Sequence, residues 1–572
     1  MEANVQHLIE TIRDGIIGDD RALNGPYGFR RMTYADYTAS GRSLDFIENF
    51  IVEEVLPLYA NTHTETSRTG LQTTRFREDA RQIILESVGG DADDVVIFCG
   101  SGATGAINKL IDILNLRLPR DLEMKYGLSD HIPADERPVV FIGPYEHHSN
   151  ELPWRESIAD VVTIPEDSDG RIDMGHLERE LINYATRPLK IGSFSAASNV
   201  TGIVSDTAGL SRLLHSHDAL AFWDFAAAAP YVKMDMNLPD GDGPHQGLTY
   251  KDAIFISPHK FVGGPGTPGV LVVKRKLITN TVPTVPGGGT VSYVSPEKHT
   301  YLEDIAHREE GGTPAIIEAI RAGLVFHLKR AVGEKNIEAL EEGFVDRAIR
   351  AWSENPNIQV LGNLKAQRLS IVSFVIRSGE RILHHNFVVA LMNDLFGIQT
   401  RGGCSCAGPY GHRLLGIDLA RSMKYHVAID AGSEGIKPGW VRLNFNYFIS
   451  DAVFEFIIKA VDFIAREGWR LLPHYEFAAE TGIWRHRNAE RGTSLRLDDI
   501  AYCSGRMQYR SQHLTEPETA FDEYLAKAEE LVAELKTLQA SSGGAVSTGA
   551  PVAVLSAELE PLRWFPLPGE GR

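Results

Sequence analysis

Six short apolar runs, most of them separated by helical segments, constrain the fold of this chain more than any other feature. The runs cover residues 95–98, 138–142, 189–194, 219–223, 253–256 and 269–273. Short buried strands that alternate with helices are typical of a mostly parallel sheet with helices on both faces. Ligands of such sheets bind beyond the carboxyl ends of the strands. Polar residues at those ends are therefore the first candidates for a functional site.

The run 253–256 ends in such a polar group, Ser257-Pro258-His259-Lys260, and then enters a glycine-rich turn. Burial disfavours the ammonium form of a lysine and lowers its pKa, and a neutral amine can attack an aldehyde. Ser257 and His259 offer a hydroxyl and an imidazole to a phosphate. A lysine on the surface after a strand is the simpler interpretation, and it holds for most lysines in such a position.

A second polar segment, Cys99-Gly100-Ser101-Gly102-Ala103-Thr104, follows the run 95–98. Its small residues let the backbone approach a ligand closely, and the helix that follows presents free N–H groups and a positive dipole end to a phosphate. The segment lacks the GxxxxGK[ST] pattern of a P-loop. As a single glycine-rich turn it is weak support for a phosphate site.

Two further strand ends carry polar residues. Tyr145-Glu146-His147-His148 follows the run 138–142, and adjacent histidines cannot both face one metal from a regular element, which favours stacking or hydrogen bonding by one of them. A histidine satisfied within a loop is the alternative. Asp224 ends the run 219–223 before small residues, and a buried aspartate is costly unless it meets a cation or a good donor. A protonated ring nitrogen is one such partner.

Composition narrows the class of protein. The 572 residues exceed one ordinary domain, and the net charge of −19 argues against a nucleic-acid or membrane-surface binder. Four cysteines are too few for a disulfide framework in a chain this long. We find neither a signal peptide at the start nor an apolar run near the length of a membrane span, and we expect a cytoplasmic enzyme.

The chain changes character along its length. We predict an N-terminal segment (1–45), a large domain (46–314), a smaller α+β domain (315–480) and a C-terminal extension (481–572). Within the extension, Glu516 to Leu538 reads as an amphipathic helix and Ala540 to Pro551 as a disordered linker. The apolar end, Leu562 to Pro568, docks on its own chain or on a partner.

These motifs, in this order, resemble the class V family of pyridoxal-phosphate enzymes, and most closely its cysteine desulfurase and selenocysteine lyase branch. The resemblance covers roughly residues 30–470. It implies an α/β, fold type I (aspartate-aminotransferase-like) architecture: a large domain with a mostly parallel seven-stranded sheet and a smaller C-terminal domain. It also implies pyridoxal 5′-phosphate as cofactor, an amino acid as substrate and a homodimer with shared active sites.

The resemblance assigns roles to single residues. Lys260 matches the lysine that forms the Schiff base, and Asp224 the aspartate that holds the pyridine nitrogen protonated. The residues matched to phosphate contacts are Ala103, Thr104, Ser257 and His259, and Thr290 matches a residue that contacts the phosphate of the opposite subunit. His147 matches the histidine that stacks on the ring, and Asn199 matches a residue that hydrogen-bonds near the ring hydroxyl. Arg442 matches the arginine that binds the substrate carboxylate, with Arg401 as the second candidate. No metal is implied.

The segment Arg401-Gly402-Gly403-Cys404-Ser405-Cys406-Ala407-Gly408-Pro409 is similar to the family's cysteine motif, and its spacing selects Cys406. The resemblance implies that the Cys406 thiolate attacks the sulfur of bound cysteine, which gives alanine and a persulfide. An acceptor protein for that sulfur is a possible partner. A structural thiol in a relative with other chemistry is the alternative for Cys406.

Three departures from the family pattern stand out. Ala227 takes the place of a glutamine that touches the ring oxygen, Cys404 takes the place of a histidine, and an insertion lies near Tyr410 to Lys437. The pair Cys404–Cys406 can bind metal or oxidise, although two residues are a weak metal signal. Transamination, lyase or epimerase chemistry on the same fold is therefore the second hypothesis, and a non-catalytic scaffold is the third.

Overall fold

The structure is a computed structural model that describes residues 2–62, 64–239, 247–489, 495–511, 513–541 and 555–570. A seven-stranded sheet forms its centre. The strand Gly269–Lys274 runs antiparallel to both of its neighbours, and the other neighbouring strands are parallel. Across the sheet the strands follow the order Asp94–Cys99, Gly269–Lys274, Ala253–Ile256, Leu220–Asp224, Lys190–Ser195, Val139–Ile142 and Asp160–Thr163.

Six of these strands lie where the apolar runs predict them, because runs such as 253–256 are buried on both faces of the sheet. The seventh, Asp160–Thr163, is an edge strand of mostly half-buried residues, and its short polar sequence gives no comparable signal. The helices of this part of the chain are Arg68–Ser87, Gly102–Ile113, Arg120–Tyr126, Leu152–Arg155, Met174–Asn183, Thr207–Ser216 and Ile305–Glu309.

A second, antiparallel sheet forms after residue 357. Its strands follow the order Ile358–Val360, Ile371–Ser378, Trp440–Asn444 and Arg401–Gly403, and Arg381–Ile382 also pairs with the second of them. The helices in this region are Ile316–Val332, Glu334–Ser353, His385–Phe396, Gly408–Leu414, Leu419–Asp430 and Asp451–Glu467. The mixture of helices with a small sheet agrees with the predicted α+β character, and the division into four segments stays a prediction.

The N-terminal region contacts both sheets. The helix Ala3–Asp14 buries Ile9 and Ile12 in the core of the large sheet. The strand Thr33–Tyr34 pairs in parallel with Ile398–Gln399, next to the second sheet. This pairing carries the residues after Tyr34 to the place where the two sheets meet.

The segment 45–58 forms a short and irregular helix. It is α-helical over Asp45–Phe50, continues as a π-helical turn over Ile51–Val55 and ends as a 3₁₀ turn over Leu56–Leu58. Pro57 lacks the N–H that a continuing α-helix needs. The loop that follows is short, because Ser67 accepts a hydrogen bond from the N–H of Gly70 and caps a helix that begins at Arg68.

The C-terminal extension packs on the second sheet's side of the molecule. The helix Phe521–Ser541 stacks Phe521 on Phe456 with ring centroids 4.1 Å apart. Leu562, Phe565 and Leu567 are buried in the same core, so the apolar end docks on its own chain. The predicted linker beyond residue 541 lies outside the described residues. Within the described ranges, no helix combines the length and the apolar character needed to cross a bilayer.

Candidate active site

A cavity of about 220 Å³ opens at the carboxyl ends of the parallel strands. Ser195 and Asp224 end two of the strands, and Ser257 follows a third. The second sheet closes the cavity from the opposite side with Arg442 and with the loop after Arg401–Gly403. The site therefore lies where the topology of the sheet predicts a ligand.

The structure brings together all but one of the residues that the sequence nominates. The cavity is lined by Ala103, Thr104, His147, Asn199, Asp224, Ser257, His259, Lys260, Arg401, Cys406 and Arg442. Thr290 is buried outside this lining, where its hydroxyl donates to the carbonyl of Gly287 at 2.7 Å. Its assigned role toward an opposite subunit stays a prediction.

One end of the cavity is the N-terminus of the helix Gly102–Ile113. Gly102 has a φ of +54°, and a Cβ there would lie 2.7 Å from Ser257 Oγ and 2.8 Å from His259 Cε1. Only glycine adopts this backbone without strain while two side chains stand so close. Ala103 N–H donates to Ser257 Oγ at 2.8 Å, and the hydroxyls of Thr104 and Ser149 share a hydrogen bond of 2.6 Å. N–H groups, hydroxyls and a helix N-terminus form a donor set that suits a phosphate.

The opposite end holds a buried carboxylate. One oxygen of Asp224 accepts from the N–H of Ala226 at 2.8 Å, and burial raises the pKa of Asp224 while nearby Lys260 lowers it. A cationic ring nitrogen next to this oxygen would offset the cost of burying the charge. His147 also lines the cavity, and burial, together with the charge of Lys260, lowers its pKa to about 3. His147 is thus a neutral ring at pH 7 and suited to stacking.

Lys260 lies in the 3₁₀ turn Pro258–Lys260 directly after the strand Ala253–Ile256. Burial lowers its pKa to about 8; Asp224 opposes this shift, and Arg442 and Arg401 add to it. About a tenth of the amine is therefore uncharged at pH 7, several hundred times more than at the ordinary lysine pKa. This is the state in which a lysine attacks a carbonyl carbon or takes up a proton.

The two arginines share one carboxylate, that of Asp36. Asp36 Oδ1 accepts from Arg442 Nη2 at 3.1 Å, and Asp36 Oδ2 accepts from Arg401 Nε at 3.0 Å. Arg442 is buried and also donates from Nη1 to the carbonyl of Asn199 at 3.1 Å, whereas Arg401 is half-exposed. The pair keeps a net positive charge beside the cavity, as a site for a substrate carboxylate requires.

Cys406 lies in a tight turn that faces the cavity. The carbonyl of Cys404 accepts from the N–H of Ala407 at 3.1 Å, and Ser405 and Cys406 have φ values of 51° and 55°. The turn is tied to the large sheet's loops, because the Asn199 side chain donates to the carbonyl of Ser405 at 2.8 Å. Cys406 is exposed and Cys404 is partly buried.

Sequence reasoning assigned no role to Asp36, Ser149 or Glu146. Glu146 is buried and accepts from both the hydroxyl and the N–H of Ser195, and burial raises its pKa to about 7. Ser149 lies two residues after His147 and donates its N–H to His147 Nδ1 at 3.1 Å. That spacing is a readable signal for Ser149. No local pattern links Asp36 to Arg401 and Arg442, because these arginines follow it in the sequence by 365 and 406 positions.

The residues present fit pyridoxal phosphate. Gly102 leaves room where a Cβ would fill the cradle, and Asp224 awaits a cationic partner at the other end. Asn199 Oδ1 and Ser405 Oγ are buried beside the cavity and find no hydrogen-bond partner among the described residues. Ala227 also lines the cavity, so the amide of a glutamine is absent at that position.

Comparison with known proteins agrees with this fit. The aminotransferase class-V family matches residues 33–436, and the chain therefore belongs to that family. Its members depend on pyridoxal 5′-phosphate, which confirms the predicted cofactor and enzyme class.

Curated relatives bear the name probable cysteine desulfurase. One from Staphylococcus aureus (strain N315) is 27% identical over 420 residues, which are 73% of this chain and 92% of the relative. One from Halalkalibacterium halodurans is 29% identical over 394 residues, 68% of this chain and 86% of the relative.

Solved structures confirm the fold. The apo cysteine desulfurase of Thermococcus onnurineus NA1 aligns with a TM-score of 0.60 at 23% identity, covering 76% of this chain and 94% of that one. The cysteine desulfurase CsdA of Escherichia coli aligns with a TM-score of 0.56 at 21% identity, with the same coverage of both chains. The predicted α/β, fold type I architecture is thereby confirmed.

Proposed function

We propose that this protein is a pyridoxal-phosphate-dependent, cysteine desulfurase-like enzyme that converts L-cysteine to alanine and holds the sulfur as a persulfide on Cys406. One observation carries the proposal: the exposed Cys406 lines the same cavity as Lys260 and Asp224. The names of the relatives add support from outside the structure.

Each end of the cavity has a distinct task in this proposal. The N–H groups and hydroxyls at the start of the helix Gly102–Ile113 hold the cofactor phosphate, and Asp224 stabilises the protonated ring nitrogen. When bound, pyridoxal phosphate supplies an electron sink for the bonds broken at the substrate carbons. His147, neutral at pH 7, would contact the bound ring, and the unpartnered Oδ1 of Asn199 would accept a hydrogen bond from the cofactor.

Arginines on the second-sheet side of the cavity bind the substrate, and Lys260 transfers its protons. Arg442, fixed by Asp36 and by the Asn199 carbonyl, grips the carboxylate, with Arg401 as a second contact. This grip orients the amino acid so that the bond to be broken faces the ring. Lys260 Nζ, with a pKa of about 8, takes the proton from the substrate Cα and can return one later.

Sulfur removal falls to Cys406. Its thiolate attacks the substrate sulfur, an S–S bond forms as the C–S bond breaks, and alanine is the amino-acid product. Selenocysteine is a second substrate that the same attack accommodates.

A second candidate function is transamination, lyase or epimerase action on another amino acid. Ala227 favours it, because a missing amide at the cofactor changes the electron demand of the ring. The helix Leu419–Asp430, within the insertion near Tyr410 to Lys437, adds a feature that reshapes substrate access. Detection of a keto acid in place of alanine would favour this candidate.

The proposal extends to assembly and location. We propose a homodimer in which Thr290 reaches the phosphate of the opposite subunit, a protein that accepts sulfur from Cys406, and a cytoplasmic setting. Thr290 adjoins the glycines Gly287 to Gly289, and its buried hydroxyl donates to the carbonyl of Gly287, so the contact needs this loop to rearrange when the subunits associate.

The test compares Cys406→Ala with Cys503→Ala, a second exposed cysteine elsewhere in the chain. We expect Cys406→Ala to keep the cofactor's visible absorbance and to lose at least a hundredfold in sulfide release from L-cysteine with a reductant present. Cys503→Ala should match the unmodified protein. Equal sulfide release from both variants would rule out the role of Cys406, and alanine measured in parallel shows whether other chemistry continues.

A further inference from the structure

Two thiols share the turn at the cavity mouth. Cys404 is the first residue of the four-residue turn that its carbonyl closes with the N–H of Ala407, and Cys406 is the third. Ser405 and Cys406 both have left-handed backbones, which makes the turn tight. The Cα atoms of residues two apart in such a turn lie roughly 5–6 Å from each other, within the span of roughly 4.4–6.8 Å that disulfides bridge.

The two thiols have different surroundings. Cys406 is exposed and lines the cavity with Ser405, whereas Cys404 is partly buried, packs against the core of the large sheet and is not among the described residues that line the cavity. A substrate sulfur therefore meets Cys406 first, and Cys404 stands beside it, off the substrate's path.

The position of the turn is fixed from the large sheet's side. The N–H of His148 donates to the carbonyl of Cys406 at 2.8 Å, and the N–H of Gly408 donates to His148 Nε2 at 3.2 Å. The side chain of Asn199 donates to the carbonyl of Ser405, so the backbone carbonyls of Ser405 and Cys406 are both hydrogen-bonded to the large sheet's loops. The thiols therefore stay neighbours while the cavity is in use.

We propose that Cys404 is a resolving cysteine, which attacks the persulfide on Cys406 and releases its outer sulfur as hydrosulfide. The proposal rests on the proposed function, since it needs a persulfide at Cys406. The Cys404 thiolate attacks Sγ of Cys406, the new Sγ–Sγ bond forms, and the bond to the outer sulfur breaks. The electron pair of that bond leaves with the outer sulfur, so that sulfur is reduced while the sulfur of Cys404 is oxidised.

The Cys404–Cys406 disulfide is returned to two thiols by a dithiol, such as a small dithiol or a thioredoxin-type protein, through two exchange steps. In each turnover the dithiol therefore supplies the two electrons that reduce the Cys404–Cys406 disulfide, and the enzyme releases free sulfide. Transfer of the sulfur to the acceptor protein proposed above competes with this attack, and Cys404 resolves the persulfide when no acceptor is bound.

The experiment uses the holoenzyme in molar excess over L-cysteine, which is itself a thiol, with no other thiol added, and it is stopped by acid after the first turnover. Free sulfide and alanine are measured, and the tryptic peptide 402–413, which contains both cysteines, is weighed without reduction. We expect one free sulfide per alanine and a peptide lighter by two hydrogens. In Cys404→Ser, the ratio of free sulfide to alanine should fall at least tenfold and the peptide should carry one extra sulfur atom, while Cys503→Ser should match the unmodified protein.

A peptide that carries the extra sulfur in the unmodified protein, or an equal sulfide-to-alanine ratio in Cys404→Ser, overturns the resolving role. The first of these readings needs no variant, so a fold defect in Cys404→Ser does not remove the test. Absence of alanine in the unmodified protein is a different result: it overturns the proposed function, and the resolving role with it.

Discussion

Removal of the Asp36 carboxylate tests how the substrate arginines are held. Asp36 and Arg442 have side chains that are 12% and 4% exposed, so Asp36→Ala leaves a buried guanidinium without its counter-charge. Breaking a buried pair from one side costs about 3–5 kcal/mol. Arg401, whose side chain is 49% exposed, loses a contact that solvent replaces, and it adds little to that cost. We therefore expect the free energy of unfolding to fall by about 3–5 kcal/mol.

The matched control is Asp451→Ala, which removes a carboxylate from Arg347 on the surface, where the two side chains are 77% and 41% exposed. A surface pair of this kind contributes less than about 1 kcal/mol. Urea unfolding of the holoenzyme, followed by tryptophan fluorescence, reports the change, since Trp440 is buried two residues from Arg442 in the same strand.

Formate separates a charge effect from a packing effect in the same assay. A small carboxylate can enter the space left in Asp36→Ala and bind the two arginines, so formate should restore part of the lost stability in that variant alone. If Asp36→Ala and Asp451→Ala lose the same stability, or if formate raises both equally, the shared carboxylate is not what holds Arg442.

Two further predictions concern the cofactor. Gly102→Ala places a Cβ 2.7 Å from Ser257 Oγ at a φ of +54°, and we expect affinity for pyridoxal phosphate, measured by absorbance titration, to fall at least tenfold, which is about 1.4 kcal/mol. Gly343→Ala, on an exposed helix position with no heavy atom nearby, should leave it unchanged. Lys260 has a pKa lowered to about 8, and its amine reacts when it is uncharged. The rate at which the apoprotein captures pyridoxal phosphate should therefore rise with pH and level off above about pH 8. A rate that continues to rise toward the ordinary lysine pKa would contradict the lowered pKa.

The sequence predicted those site residues that lie at the carboxyl ends of the strands of the large sheet. Asp224 and Lys260 are 36 positions apart, yet parallel neighbouring strands bring both to one edge of the sheet. The apolar runs predict the strands, and the topology rule then predicts the meeting place. The family resemblance supplied the roles of these residues, which the geometry alone does not name.

The parts that it did not find depend on contacts between distant segments. Asp36 reaches Arg401 and Arg442 only because Thr33–Tyr34 pairs with Ile398–Gln399, a two-residue pairing too short to leave a pattern. The edge strand Asp160–Thr163 lacks a fully buried face, so its sequence has no apolar signature. The docking of Phe565 on its own chain was one of two alternatives, because an apolar peptide predicts burial without naming the surface that buries it.

Asn199 connects the cavity, the turn that carries Cys406 and Arg442. Its side-chain N–H donates to the carbonyl of Ser405, its own carbonyl accepts from Arg442, and its Oδ1 is buried with no partner among the described residues. One residue thus links the large sheet to the cysteine turn and to the substrate arginine, while its remaining oxygen is available to a ligand.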